Sequence, residues 1–178
     1  ALGIRPDYAE AHFSLGIALR YLGKLTDAVA SYHKAIAVKP YFVEAHTNLG
    51  VTLQELGKFD GAVASYRSAL AIKSDSAELH ANLGNALAQL GHPGEAAMSY
   101  QEALVINPDY AEAHNNFGNL LKAFGKTDDA LTSYQKALAI KPDYAEARYN
   151  LGTALHGLGR LNEAVEHMRK SIDIRPDY

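Results

Sequence analysis

The sequence predicts an all-α chain built as a solenoid of stacked antiparallel helix hairpins. Three observations carry this: a 34-residue period, a glycine closing every first helical segment, and a proline beyond most second ones. The period shows in Gly16, Gly50, Gly84, Gly118 and Gly152, and again in Gly23, Gly57, Gly91, Gly125 and Gly159. It continues in Ala28, Ala62, Ala96, Ala130 and Ala164, and in Tyr32, Tyr66, Tyr100 and Tyr134. Starting at Ala9, the chain divides into repeats at residues 9–42, 43–76, 77–110, 111–144 and 145–178, with residues 1–8 left over as the tail of a preceding repeat.

Within a repeat, the first helix is expected after Asp-x-x-Glu. This motif runs Asp7 to Glu10, Asp75 to Glu78, Asp109 to Glu112 and Asp143 to Glu146, and reads as a capping box. The helix stops at Leu22-Gly23 and its equivalents, because glycine adopts the left-handed closing conformation at little cost. Thr26, Asp60, Gly94, Asp128 and Asn162 read as N-caps of the second helix, and Pro93 suits a helix start. That helix ends before Pro40, Pro108, Pro142 and Pro176, with Ser74 in place of the remaining proline. A hairpin of this size lies below the ~40 residues at which unaided folding becomes rare, so stacking is obligatory. Gly16, Ala28 and Ala35 are the small residues that allow close approach, and Leu15, Leu19 and Tyr32 fill the gaps between hairpins.

These rows resemble the tetratricopeptide repeat family along the whole chain. The resemblance implies a right-handed superhelix whose first helices line a concave groove. His12, His46, His80, His114 and Arg148 stand where the family often has a large aromatic residue. The Asn-Leu-Gly run is similar to the repeat arm of O-linked N-acetylglucosaminyltransferases. Chaperone-docking relatives grip a terminal carboxylate with Lys and Arg, whereas the inner positions here offer only Arg20 and Lys122, so no such clamp is expected.

Composition narrows the function classes. With 17 basic against 20 acidic residues and net charge -3, the chain lacks the general attraction that nucleic acid or an anionic membrane surface requires. No apolar run approaches the ~18 to 20 residues of a membrane helix. The absence of cysteine excludes disulfides, thiolate metal sites and cysteine nucleophiles, and leaves the compartment open, with the cytoplasm favoured. The chain begins at Ala1, so a removed signal peptide stays an alternative.

Three polar rows remain. The histidines read as packing residues facing the second helix, since equivalent side chains on helices ~8–10 Å apart do not converge on one metal ion. The glutamates Glu10, Glu44, Glu78, Glu112 and Glu146 read mainly as helix-start residues, with an acidic stripe as the alternative. Asn48, Asn82, Asn116 and Asn150 call for a reason, because asparagine is a mediocre residue inside a helix. The family resemblance implies that they face the groove. There a carboxamide offers a donor and an acceptor to the main chain of an extended peptide. The competing reading is a structural ladder bridging adjacent helices.

The neighbouring inner positions vary: Phe13, Ile17, Arg20 and Tyr21; then Thr47, Val51 and Gln54; Asn85 and Gln89; Asn115, Asn119 and Lys122; and Tyr149, Thr153 and His156. No Lys or Arg intervenes between Lys73 and Lys122. No catalytic residue, metal site or cofactor is expected, because no phosphate-binding loop or nucleophile-base set is present. The expected function is a non-catalytic scaffold binding a protein or extended peptide. The alternatives are the substrate-recruiting arm of a larger protein O-glycosyltransferase or an architectural, self-assembling spacer. A chain without polar capping helices also reads as a piece of a longer array, with end-to-end self-association through exposed apolar faces.

Overall fold

In the computed structural model, residues 8–176 are described, and they contain ten helices and no strand. They fall into two compact units that divide after His92. The first holds α1 (Ala9–Tyr21), α2 (Leu25–Val38), α3 (Val43–Glu55), α4 (Phe59–Ile72) and α5 (Ala77–Gln89). The second holds α6 (Pro93–Ile106), α7 (Ala111–Ala123), α8 (Thr127–Ile140), α9 (Ala145–Gly157) and α10 (Leu161–Ile174). In the first unit α1 pairs with α2 and α3 with α4, while α2 packs on α3 and α4 on α5, and α1, α3 and α5 lie side by side. The second unit repeats the scheme with α6 on α7, the hairpins α7/α8 and α9/α10, α8 on α9, and α7 beside α9.

Each first helix closes in the same way. Gly23, Gly57, Gly91, Gly125 and Gly159 take φ between 70° and 76°. Around Gly23, its N–H donates to the Arg20 carbonyl at 2.9 Å and the Lys24 N–H reaches back to the Leu19 carbonyl at 2.9 Å, the paired bonds of a Schellman closure. The other four glycines repeat it. Lys24 therefore ends one helix and precedes the next, and the same is true of Lys58, Lys126 and Arg160.

This compression corrects the expected second-helix caps. The helices start at Leu25, Phe59, Pro93, Thr127 and Leu161, so Thr26, Asp60, Gly94, Asp128 and Asn162 lie inside the first turn. Pro93 does open α6. The capping boxes are corrected too. The N-caps of the first helices are Tyr8, Phe42, Ser76, Tyr110 and Tyr144, and only Ser76 accepts a side-chain cap bond, from the Leu79 N–H at 3.4 Å. Asp75, Asp109 and Asp143 sit one residue too early to cap, and Glu10 and Glu112 look sideways instead. Glu10 pairs with Lys39 at 3.5 Å and Glu112 with Lys141 at 3.2 Å. Asp7 and the rest of the leading segment, Ala1 to Asp7, lie outside the described residues.

The core is the contact between a first-helix glycine and a second-helix tyrosine. Tyr32, Tyr66 and Tyr134 are almost wholly buried, among alanines such as Ala28, Ala35, Ala62 and Ala130. A Cβ built on Gly16, Gly50 or Gly118 would come within 2.5 or 2.6 Å of the ring of Tyr32, Tyr66 or Tyr134 respectively. The last hairpin keeps the fit with other residues. Met168 Cγ lies 2.8 Å from where a Gly152 Cβ would stand, and buried Ser171 donates to the Ala145 carbonyl at 2.8 Å. Met168 and Ser171 thus fill the places that tyrosine and alanine take in the other hairpins.

Two glycine classes should therefore separate on mutation. Gly50→Ala forces the Tyr66 ring aside and should cost about 1–3 kcal/mol, as overpacking does. Gly57→Ala meets no atom within 4 Å and should cost about 1–2 kcal/mol, through backbone strain alone. Pairing each with Tyr66→Leu in urea titrations distinguishes them: the second change should relieve the first defect and leave the other untouched.

Candidate functional site

The side-by-side faces of the first helices carry the expected site residues, and the structure treats them unequally. In the first unit, Phe13 does not line an open face. Its ring lies 4.9 Å from Phe42 and 6.0 Å from Tyr32, so it belongs to the hydrophobic layer between hairpins. The equivalent place in other repeats varies, buried at Ala81 and Asn115 and exposed at Tyr149, so Phe13 owes its burial to the aromatic rings around it. Ile17 is half-buried, whereas Tyr21 is 87% exposed at the end of α1. Asn85 is half-buried and Gln89 exposed on α5.

The asparagines do not form a uniform ladder. Asn48 Nδ2 donates to the Glu44 carbonyl of its own helix at 2.9 Å, turning part of the amide inward on α3. Asn150 Nδ2 donates to Asn115 Oδ1 at 2.9 Å. Asn115, fully buried, donates in turn to Glu146 at 3.0 Å and to Asn116 Oδ1 at 3.3 Å. Asn115 is thus a structural bridge between α7 and α9, which corrects its reading as a groove contact. Asn82 differs from all of these: half-buried on α5, its carboxamide has no hydrogen-bond partner among the described residues.

The cationic residues are also committed laterally. Arg20 Nε lies 3.1 Å from both carboxylate oxygens of Glu55, and its Nη2 2.6 Å from Oε1. The Arg20 hydrogen bond holds the Glu55 carboxyl below the usual carboxylate range. In the second unit Lys122 Nζ donates to Thr153 Oγ1 at 2.7 Å. Tyr149 and His156 are exposed on α9.

The tyrosine row reaches this face from behind, which the sequence reading missed. Burial raises the Tyr66 phenol above its ordinary pKa and pushes Tyr134 up to about 12, so both stay protonated donors. Tyr66 Oη donates to Gln54 Oε1 at 3.1 Å, and Tyr134 Oη to Asn119 Oδ1 at 2.8 Å. The signal was available: an amide stands across from each of these core tyrosines in the same hairpin.

The first unit holds a pocket of about 360 Å³ on this face, lined by Val51, Gln54, Glu55, Tyr66 and Asn82. A second pocket, of about 350 Å³, lies in the second unit among Pro142, Asp143, Arg148, Lys170, Asp173 and Ile174. Its cations are engaged, Lys170 by Glu166 at 2.6 Å and Arg148 by the Pro142 carbonyl.

The histidine row is a set of latches and not simple packing. His46 Nε2 hydrogen bonds the Pro40 carbonyl at 2.9 Å, His80 the Ser74 carbonyl at 3.1 Å, and His114 the Pro108 carbonyl at 2.9 Å. The carbonyl can only accept, so the ring nitrogen carries the proton. Arg148 does the same to Pro142 with Nε at 3.0 Å and Nη2 at 2.6 Å. A donor that spans one turn explains why arginine replaces histidine here. Among the described residues no group of three His, Asp or Glu side chains could hold a metal ion, and no helix is long and apolar enough to cross a membrane.

Hairpin repeats whose first helices carry bridged polar rows define a repeat protein of the helical-hairpin class. The comparisons name the family. A profile described as "TPR repeat" matches residues 18–57, 53–91 and 118–159, and others described as "Tetratricopeptide repeat" match 77–110, 99–132 and 145–178. The chain belongs to the tetratricopeptide repeat family. No curated protein sequence matches it. Among solved structures, a crystal structure of MamA is 28% identical with TM-score 0.81, over 90% of this chain and 94% of that one. YrrB, described as a TPR protein with an unusual peptide-binding site, is 26% identical with TM-score 0.74, over 98% and 90%. TTC0263, a thermophilic TPR protein of Thermus thermophilus, is 25% identical with TM-score 0.78, over 96% and 93%.

Two substitutions test the internal bonds. His114→Phe should lower stability by about 1 kcal/mol through loss of the latch, while His114→Arg should retain it, both read as urea midpoints. Asn115→Ala strands Glu146 and Asn150, and should cost about 1–3 kcal/mol in the same titration. A midpoint matching the parent protein's would remove Asn115 from its bridging role.

Proposed function

We propose that the chain is a non-catalytic scaffold for protein interaction, holding an extended peptide or a partner segment against the first-helix face. The observation that carries this is the open pocket of the first unit, where Asn82 presents a carboxamide with no hydrogen-bond partner among the described residues, beside Val51 and Gln54. Its polar groups sit on three rigid helices fixed by buried tyrosines, so little ordering remains to be done when a ligand arrives. Membership of a repeat family supports the scaffold reading, and the resemblance to YrrB, itself described as having a peptide-binding site, supports a peptide ligand.

The chemistry favours main-chain contact. A carboxamide pairs with both the N–H and the C=O of an extended strand without discriminating its side chains. Each such bond adds only about 0.5–1.5 kcal/mol net, so affinity should be modest and specificity should come from the variable neighbours Ile17, Tyr21, Val51, Asn85 and Gln89. In the second unit the corresponding variable residues are Asn119, Tyr149 and His156.

An array of peptides of about ten residues, each able to span several first helices at ~3.3 Å per residue, tests the reading. The chain should retain a subset. Val51→Glu combined with Asn82→Ala should weaken retention by about tenfold or more, with circular dichroism and melting temperature unchanged. Retention of none of the peptides, or equal retention by the double variant, would contradict it.

A further inference from the structure

The pocket lined by Val51, Gln54, Glu55, Tyr66 and Asn82 combines amide, phenol, carboxylate and aliphatic groups. The Tyr66 hydroxyl donates to Gln54 Oε1 at 3.1 Å, and burial keeps that phenol protonated. Gln54 is therefore turned so that its Nε2 group is the end left for a ligand. Asn82 contributes a donor and an acceptor, neither engaged by another described residue. Val51 supplies an aliphatic surface.

At the rim the charges of Arg20 and Glu55 offset one another. Arg20 binds both oxygens of Glu55, at 3.1 Å from each through Nε and at 2.6 Å from Oε1 through Nη2. An incoming carboxylate would meet Glu55, and an incoming ammonium would have to share Glu55 with Arg20. Glu78 adds a further negative charge felt at Tyr66. An aliphatic side chain would cover Asn82 and Gln54 without satisfying them, which a hydrogen-bonding pocket penalises more than a missing methylene.

We propose that this pocket is a subsite for one uncharged carboxamide side chain, glutamine or asparagine, of the bound segment, with Asn82 and Gln54 pairing its amide and Val51 carrying its stem. The inference rests on the peptide-binding reading above and adds a side-chain selection to it. The volume of about 360 Å³ accommodates such a side chain with its adjoining main chain.

The test uses the full chain, immobilised, and pools of otherwise randomised peptides in which one position is fixed as Gln, Asn, Leu, Lys or Glu. The Gln and Asn pools should be retained about tenfold better than the Lys and Glu pools, and better than Leu. Asn82→Asp, nearly isosteric, should move the preference towards the Lys pool, and Asn82→Leu towards the Leu pool, each with unchanged circular dichroism. Equal retention of all pools, or a preference that neither variant alters, would overturn the subsite while leaving peptide binding standing. If no pool were retained, the peptide-binding reading would fall, and the subsite with it.

Discussion

The missing Cβ at Gly16, Gly50 and Gly118 lets a tyrosine ring come close against the first helix, and much of the inner face follows from that contact. With Tyr66 seated within 2.6 Å of the site a Gly50 Cβ would take, the two helices cannot separate or rotate without opening a void. The same seating sends the phenol through the hairpin to the opposite face, where it fixes Gln54; Tyr134 does the same for Asn119. One steric fit thus couples the core to the proposed binding surface. Where the tyrosine is replaced, as by Met168 over Gly152, the fit survives without the polar reach.

Most polar groups of the first-helix faces described above hold neighbouring repeats together. Arg20–Glu55, Lys122–Thr153 and the Asn150–Asn115–Glu146 chain join neighbouring first helices. Such pairs on a partly exposed surface add little stability individually, since solvent screening offsets most of their attraction. Their larger effect is geometric: they fix side-chain directions and remove charges that would otherwise be free to attract ligands. Asn82 is left out of this network, and it lies at the pocket.

Much of the fold was legible because the sequence states it repeatedly. The glycine that closes each first helix, the proline that follows most second ones and the alanine–tyrosine core all read directly from the 34-residue period. Helix starts were misread by one or two residues, because the Schellman closure shares Lys24 and its equivalents between two helices and leaves no place for a separate cap. The histidine row was misread as packing because its acceptor is a backbone carbonyl six residues earlier, which side-chain identities do not reveal; Arg148 was the clue. The asparagine row was legible as a polar row that calls for a reason, but not as unequal. Whether an amide bonds its own helix, as Asn48 does, or a neighbour, as Asn150 does, depends on rotamers and on the residue in the adjacent repeat.

The central claim is that the Asn82 carboxamide meets a partner while Asn115 and Asn150 serve the fold. Side-chain amide NMR spectra of the uniformly labelled chain, recorded as a retained peptide is titrated in, read all three at once. The account predicts that the Asn82 and Gln54 amide signals shift in proportion to occupancy while those of Asn115 and Asn150 stay in place. Shifts confined to Asn115 and Asn150, or an unmoved Asn82 at saturation, would contradict it.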